Sequence, residues 1–182
     1  MKLHLFQAKS KLGGDVDHNL SRLVSYIKAN CGSGGDIVIT PELYLPGYMS
    51  RDLHFNIAEP INGKTIKEIE KATAETGCTV VTGIGERDNA TDALYNTAVA
   101  IGPTGLIAKY RKRHLPSYGV FDEARYFGAG GEDEPPVFEV GGGAKMGGLA
   151  ICYDAFYPPE ISRSLTLRGA KVHIYISAAP PI

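Results

Sequence analysis

Cysteine is scarce in this chain, neither positive nor negative charge dominates, and no stretch is both long and apolar. The three cysteines, Cys31, Cys78 and Cys152, are odd in number and widely spaced. That argues against a disulfide framework and fits reduced thiols in a cytoplasmic protein. No apolar run approaches the ~20 residues that span a bilayer. The opening MKLHLFQAKSKLGG has neither a long apolar core nor a small-residue cleavage pattern, so it reads as a mature, cytoplasmic start. Nineteen Lys and Arg stand against twenty Asp and Glu, for a net charge of −1. Such a balance excludes a general affinity for nucleic acid or for an anionic membrane. There is no CxxC, no HExxH and no His/Cys pair at ligand spacing, so no metal is expected. Internal repeats, low-complexity tracts and long linkers are absent too, and residues 1–182 read as a single domain.

What is present alternates between strands and helices. KLHLFQA (2–8), GGDIVIT (34–40), CTVVTGIGE (78–86), KMGGLAIC (145–152) and KVHIYISA (171–178) read as strands. DHNLSRLVSYIKAN (17–30) and KTIKEIEKATAET (64–76) repeat their apolar residues at helical spacing, and PEISRSLTLRG (159–169) reads as a helix ending at Gly169. YNTAVAIGPTGLIAKYRK (95–112) is two strands around the turn Gly102-Pro103-Thr104-Gly105. The pattern predicts an α/β layered domain with a mixed sheet. The glycine-rich GSGG at 32–35 precedes a strand instead of opening a helix, so it is not a phosphate-binding fingerprint.

Three chemically different side chains share one placement. Glu42 follows DIVIT, Lys112 follows LIAKYR, and Cys152 ends MGGLAIC. Ligands of α/β sheets sit outside strand ends. Each residue also has a plain reading: Glu42 as a helix-start carboxylate, Lys112 as one cation of the solvated run Lys109, Arg111, Lys112, Arg113 and His114, and Cys152 as a small buried hydrophobe. Together they complete a mechanism. A thiol must lose its proton to attack, a carboxylate can take that proton, and a fixed ammonium can hold the oxyanion that forms.

PELYLPGY around Glu42, YRKRHLP around Lys112 and GLAICYD around Cys152 resemble, in order and spacing, the three signature blocks of the nitrilase superfamily, the carbon–nitrogen hydrolases. The hairpin at 95–112 is similar to that family as well, and the resemblance runs through the whole chain. It implies an α-β-β-α sandwich and a Glu-Lys-Cys triad, with Glu42 as base, Lys112 as oxyanion stabiliser and Cys152 as nucleophile. Glu123, in FDEARYF, resembles the family's second active-site glutamate; read alone it is a loop acid paired with Arg125. The amide of Tyr153 would join Lys112 in the oxyanion hole. Tyr153, Tyr48 and Tyr118 join Glu123 as candidate substrate-binding residues. The implied reaction is hydrolysis of a small amide through a cysteine thioester, with no metal or organic cofactor.

Two departures qualify the resemblance. CYDAFYPPE carries one residue more than the family's usual spacing before Glu160. The family's domain also normally continues past a strand like VHIYISAAP, so the expectation is a domain lacking its C-terminal strands, with an open sheet edge that favours a homodimer or higher homo-oligomer. LPSYGVFDEARYF is similar both to stand-alone amidases and to the glutaminase domain of glutamine-dependent NAD synthetase. The alternatives to an amidase are therefore a glutaminase-type subunit delivering ammonia to a synthetase, and a catalytically silent homologue acting as an interaction module.

Overall fold

In the computed structural model the described residues are all but 33, 132, 134, 141–144, 157, 158 and 179–182. Five strands, β1 (Leu3–Leu5), β2 (Ile37–Ile39), β3 (Thr79–Arg87), β4 (Leu94–Gly102) and β5 (Gly105–Arg111), form one mixed sheet in chain order. The pairs from β1 to β3 are parallel and those from β3 to β5 antiparallel. A second sheet holds β6 (Val137–Val140), β7 (Lys145–Ile151) and β8 (Val172–Ile176), in that order.

The pleat sorts side chains into two cores. On β3 and β4, Val80, Val99 and Ile101 face α1 (Val16–Asn30) and α3 (Lys64–Thr76), where they meet Leu23, Ile27, Ile66 and Ile69. Their neighbours Val81, Ala98 and Ala100 face the other way, with Ala108 and Tyr110 of β5, onto Phe138, Leu149, Ile151 and Ile174 of the second sheet. Covering both faces explains why these strands read as near-continuous apolar runs. The remaining layer is α5 (Glu160–Leu167), whose Leu165 lies so close to Gly148 that a Cβ there would sit 2.8 Å from it. The order helix, sheet, sheet, helix is the α-β-β-α sandwich that the resemblance implies. Two short helices, α2 (His54–Ile57) and α4 (Glu123–Tyr126), lie in connections.

Most element bounds fall within a few residues of the sequence reading, and α3 matches it at both ends. The strand expected over 2–8 is only three residues long. After it, the amides of Gln7 and Ala8 turn back onto the Leu5 and Phe6 carbonyls and close local turns. β6 was not foreseen, because VFEV is four residues between Pro136 and a glycine run and carries too short a pattern. Two of the residues around the unusual spacing before Glu160, Tyr157 and Pro158, lie outside the described residues.

Candidate active site

The inner face of the sandwich delivers the site. On β5, Ala108 and Tyr110 point between the sheets, and Lys112 continues that parity one step past the strand. Lys109 and Arg111 have the opposite parity. They cross to the buried carboxylate of Glu86, at 2.7 and 2.6 Å, and Arg111 also holds Asp88 and lies over the Tyr95 ring. The basic run is thus split by the pleat: two cations are neutralised on one face, and one is sent into the core. Lys112 is fixed at both ends of its peptide, its N–H donating to the Asn96 carbonyl and its own carbonyl accepting from Gly130 N–H. A side chain at Gly130 would collide with the Arg111 carbonyl.

Glu42 arrives on the loop after β2. That loop lies directly on β3 at Gly83, where a Cβ would strike the backbone of Glu42 and Leu43. Leu43 takes a left-handed φ of 46°, an uncommon conformation for a bulky side chain. The result is a fully buried carboxylate with every described partner a donor. Oε1 accepts from Lys112 Nζ at 2.7 Å and Asn96 Nδ2 at 2.8 Å, and Oε2 from the Ala178 amide at 2.9 Å. Glu42 is therefore no helix-start carboxylate.

Lys112 Nζ bridges Glu42 Oε1 and Glu123 Oε1, the latter at 2.6 Å. Burial alone would lower its pKa, but the Glu42 and Glu123 carboxylates outweigh burial and hold it above the ordinary lysine value. Glu123 does not pair with Arg125, which instead meets Asp52 at 3.1 Å. Its Oε1 also accepts from Tyr48 OH at 2.6 Å, while its buried Oε2 has no hydrogen-bond partner among the described residues. Burial, with the nearby Glu42 charge, raises the Glu123 pKa despite the opposing pull of Lys112. Burial and Glu123 likewise raise the Tyr48 phenol.

Cys152 follows β7 with a φ of 43° and opens a short 3₁₀ turn, Cys152–Ala155. It is half-buried, unlike Cys31 and Cys78, which are buried. Burial and the Glu42 charge push its thiol up; the Ser177 hydroxyl and Lys112 pull it down, and the net direction is upward. The thiol thus senses both Glu42 and Lys112. Of the tyrosines, Tyr48 touches the charged cluster through Glu123. Tyr153 and Tyr118 stand side by side, ring centroids 6.1 Å apart, with Tyr118 more than half exposed. A cleft of about 320 Å³ reaches Glu123, Tyr48 and Phe127 but is lined by neither Lys112 nor Cys152.

Sequence reasoning missed four contributors. Asn96 shares the inward parity of Ala98 and Ala100, a signal present in the strand pattern. Asp154 stands inside the GLAICYD block but has no role there until its partners are seen. Ser177 and Ala178 come from the far end of the sequence, and only the sheet brings them to Glu42.

Comparison with known proteins fits this arrangement. The pattern of the carbon-nitrogen hydrolase family matches residues 3–181. The chain is 38% identical over 161 residues to a nitrilase of Pyrococcus abyssi, spanning 87% of this chain and 58% of that protein. It is 34% identical over 175 residues to an (R)-stereoselective amidase of Pseudomonas sp, spanning 96% of this chain and 59% of that one. It is 37% identical over 170 residues to a glutamine-dependent NAD(+) synthetase of Thermotoga maritima, spanning 92% of this chain and 28% of that protein. Among solved structures, Saccharomyces cerevisiae Nit3, a member of branch 10 of the nitrilase superfamily, superposes with a TM-score of 0.80 at 28% identity, covering 98% of this chain and 65% of its own. The chain spans less than two thirds of the length of each of these proteins. With the family pattern running through nearly all of its residues, the chain belongs to the carbon–nitrogen hydrolases of the nitrilase superfamily.

Proposed function

We propose that this chain carries the catalytic centre of an amidase-type hydrolase that cleaves a small amide through a thioester on Cys152. The observation that carries the reading is the buried ammonium of Lys112 held between Glu42 and Glu123, with the half-buried Cys152 thiol close enough for the Glu42 charge to raise its pKa and Lys112 to lower it. Glu42 takes the thiol proton and the sulfur attacks the amide carbonyl, forming a C–S bond. Lys112 and the Tyr153 amide hold the resulting oxyanion. The C–N bond breaks, and Glu42 returns the proton to the departing ammonia or amine. Water, deprotonated by Glu42, then adds to the thioester; the C–S bond breaks, a carboxylic acid leaves and the thiol is restored. Amidase and nitrilase relatives above 30% identity support this reaction class.

One observation favours a narrower reading of the same chemistry. The 37% identity to a glutamine-dependent NAD(+) synthetase falls on only 28% of that protein. A glutaminase part that passes ammonia to a separate synthetase would have this footprint. The test is ammonia release from a panel of small aliphatic amides that includes glutamine, with Cys152→Ala as control. Turnover of simple amides supports the amidase, and turnover of glutamine alone supports the ammonia donor. No turnover, with Cys152 alkylated by iodoacetamide no faster than Cys31 and Cys78, would leave the silent homologue. We further propose that the chain self-associates, on the strength of the exposed apolar residues discussed below.

A further inference from the structure

Asp154 lies two residues past the thiol, fully buried, on the turn that Cys152 opens. Both of its oxygens are engaged. Oδ2 accepts from Tyr110 OH at 2.8 Å and from the Arg113 amide at 3.2 Å. Oδ1 meets the His114 amide at 2.9 Å and His114 Nδ1 at 2.6 Å. These partners are residues 110, 113 and 114, so they straddle Lys112 on both sides. A single carboxylate thereby ties the turn carrying the thiol to the strand end carrying the ammonium.

The turn needs such a tie. Cys152 has a left-handed φ of 43°, a conformation that residues with a Cβ seldom adopt. A strained residue persists only where its surroundings over-determine it. The β7 ladder cannot do so, because its pairing with β8 ends at Ile151. The N-cap residue, Ile151, makes no side-chain capping hydrogen bond among the described residues either.

We propose that Asp154 is the positioning residue that sets the distance and orientation between Cys152 and Lys112. The inference rests on the reading of Cys152 as nucleophile and Lys112 as its cationic partner. Asp154 touches neither substrate nor reacting atoms. It acts by joining two segments that approach from different sheets. An Asn in its place keeps the shape but presents an NH₂ group to two of the four donors, and the tie loosens.

The experiment measures the alkylation rate of Cys152 by iodoacetamide against pH, in the full chain, for the unmodified protein, Asp154→Asn, Lys112→Met and the double variant. A loosened tie takes the thiol away from its cation, so Asp154→Asn slows alkylation about tenfold near pH 8 and moves the profile to higher pH. In the double variant Asp154→Asn adds nothing to Lys112→Met, because there is no ammonium left to position. A purely local role predicts otherwise. Deleting a buried negative charge beside a thiol makes ionisation easier, and the profile would move to lower pH. A profile that stays put or moves down, or costs that multiply in the double variant, overturns the proposal. If Asp154→Asn does not melt cooperatively, His114→Ala removes one tie from a partly exposed side chain. It is expected to slow alkylation about threefold in the same direction, and an unchanged rate would sink the idea. If Lys112→Met alone leaves the rate unchanged, the nucleophile reading itself fails and this inference falls with it.

Discussion

Lys112 Nζ lies 2.7 Å from Glu42 Oε1, and neither side chain has any exposed surface. A buried pair of this kind is weak evidence for stability, because desolvating two charges offsets most of their attraction; breaking it by removing one partner is a different matter, at about 3–5 kcal/mol. The two halves of the pair should therefore behave differently. Lys112→Met leaves Glu42 and Glu123 facing each other without a cation, so it should both destabilise the fold and remove one oxyanion donor, about 10²–10³-fold in turnover. Glu42→Gln leaves Lys112 on Glu123, so the fold should suffer less, while loss of the general base costs roughly 10²–10⁴-fold. The losses should not add in the double variant, since the groups act as a unit. Melting curves and steady-state rates on one amide check both halves. Near-normal turnover in Glu42→Gln would take Glu42 out of the mechanism.

Glu123 gives a pH prediction. Its pKa is raised by burial and by the charge of Glu42. Between the ordinary carboxylate value and that raised value the folded state binds more protons than the unfolded state. Its contribution to stability is thus complete below the ordinary carboxylate pKa and is lost as pH rises through the raised one. A glutamine cannot titrate. The melting temperature of Glu123→Gln, relative to the unmodified protein, should therefore climb as pH goes from acid to neutral. Turnover should fall about 10²-fold, because Lys112 and Tyr48 lose their shared anchor. A melting difference that is flat or falls with pH would refute the assignment.

The left-handed φ of Cys152 can be tested without any substrate. Glycine ordinarily destabilises relative to alanine, but at a positive φ the order reverses. Cys152→Gly should be more stable than Cys152→Ala by ~1 kcal/mol, both should fold, and neither should turn over. Denaturant unfolding of the two variants gives the comparison. Alanine equal to or better than glycine would mean that the turn carries no strain.

How much of this was legible in the sequence depended on distance along the chain. The helices and the central strands were readable because their apolar periods are long enough to stand out. Glu42, Lys112 and Cys152 stood out as candidates because each sits beside a strand and within a distinctive block. The sorting of Lys109, Arg111 and Lys112 follows from the pleat alone, although only the buried Glu86 shows where the other two cations go. What remained hidden was pairing between remote segments. The Ala178 amide on Glu42 and the Asp154 tie to His114 join residues separated by 136 and 40 positions. No local pattern encodes such contacts.

The last prediction concerns self-association. Leu3 and Leu5 are paired in register with Ile37 and Ile39, so they point to the same face, between the sheets. Ile37 is in the core, yet Leu3 and Leu5 are 49% and 66% exposed. The five-stranded sheet is wider than the three-stranded one among the described residues. On the other sheet β8 pairs only with β7, so its far side presents unpaired backbone groups among the described residues. Phe156, at the end of the turn that Cys152 opens, and Leu167, at the end of α5, are each more than 70% exposed. Apolar surface and an open edge of this kind favour association. The 182-residue chain, 19.5 kDa as a monomer, should run as a dimer or larger species in light scattering behind a sizing column. Leu5→Lys and Phe156→Ser should each raise the monomer fraction at a given concentration, and the more effective of the two identifies the face in use. A monodisperse, cooperatively melting monomer would show that these surfaces stay bare in solution, and would remove the case for self-association.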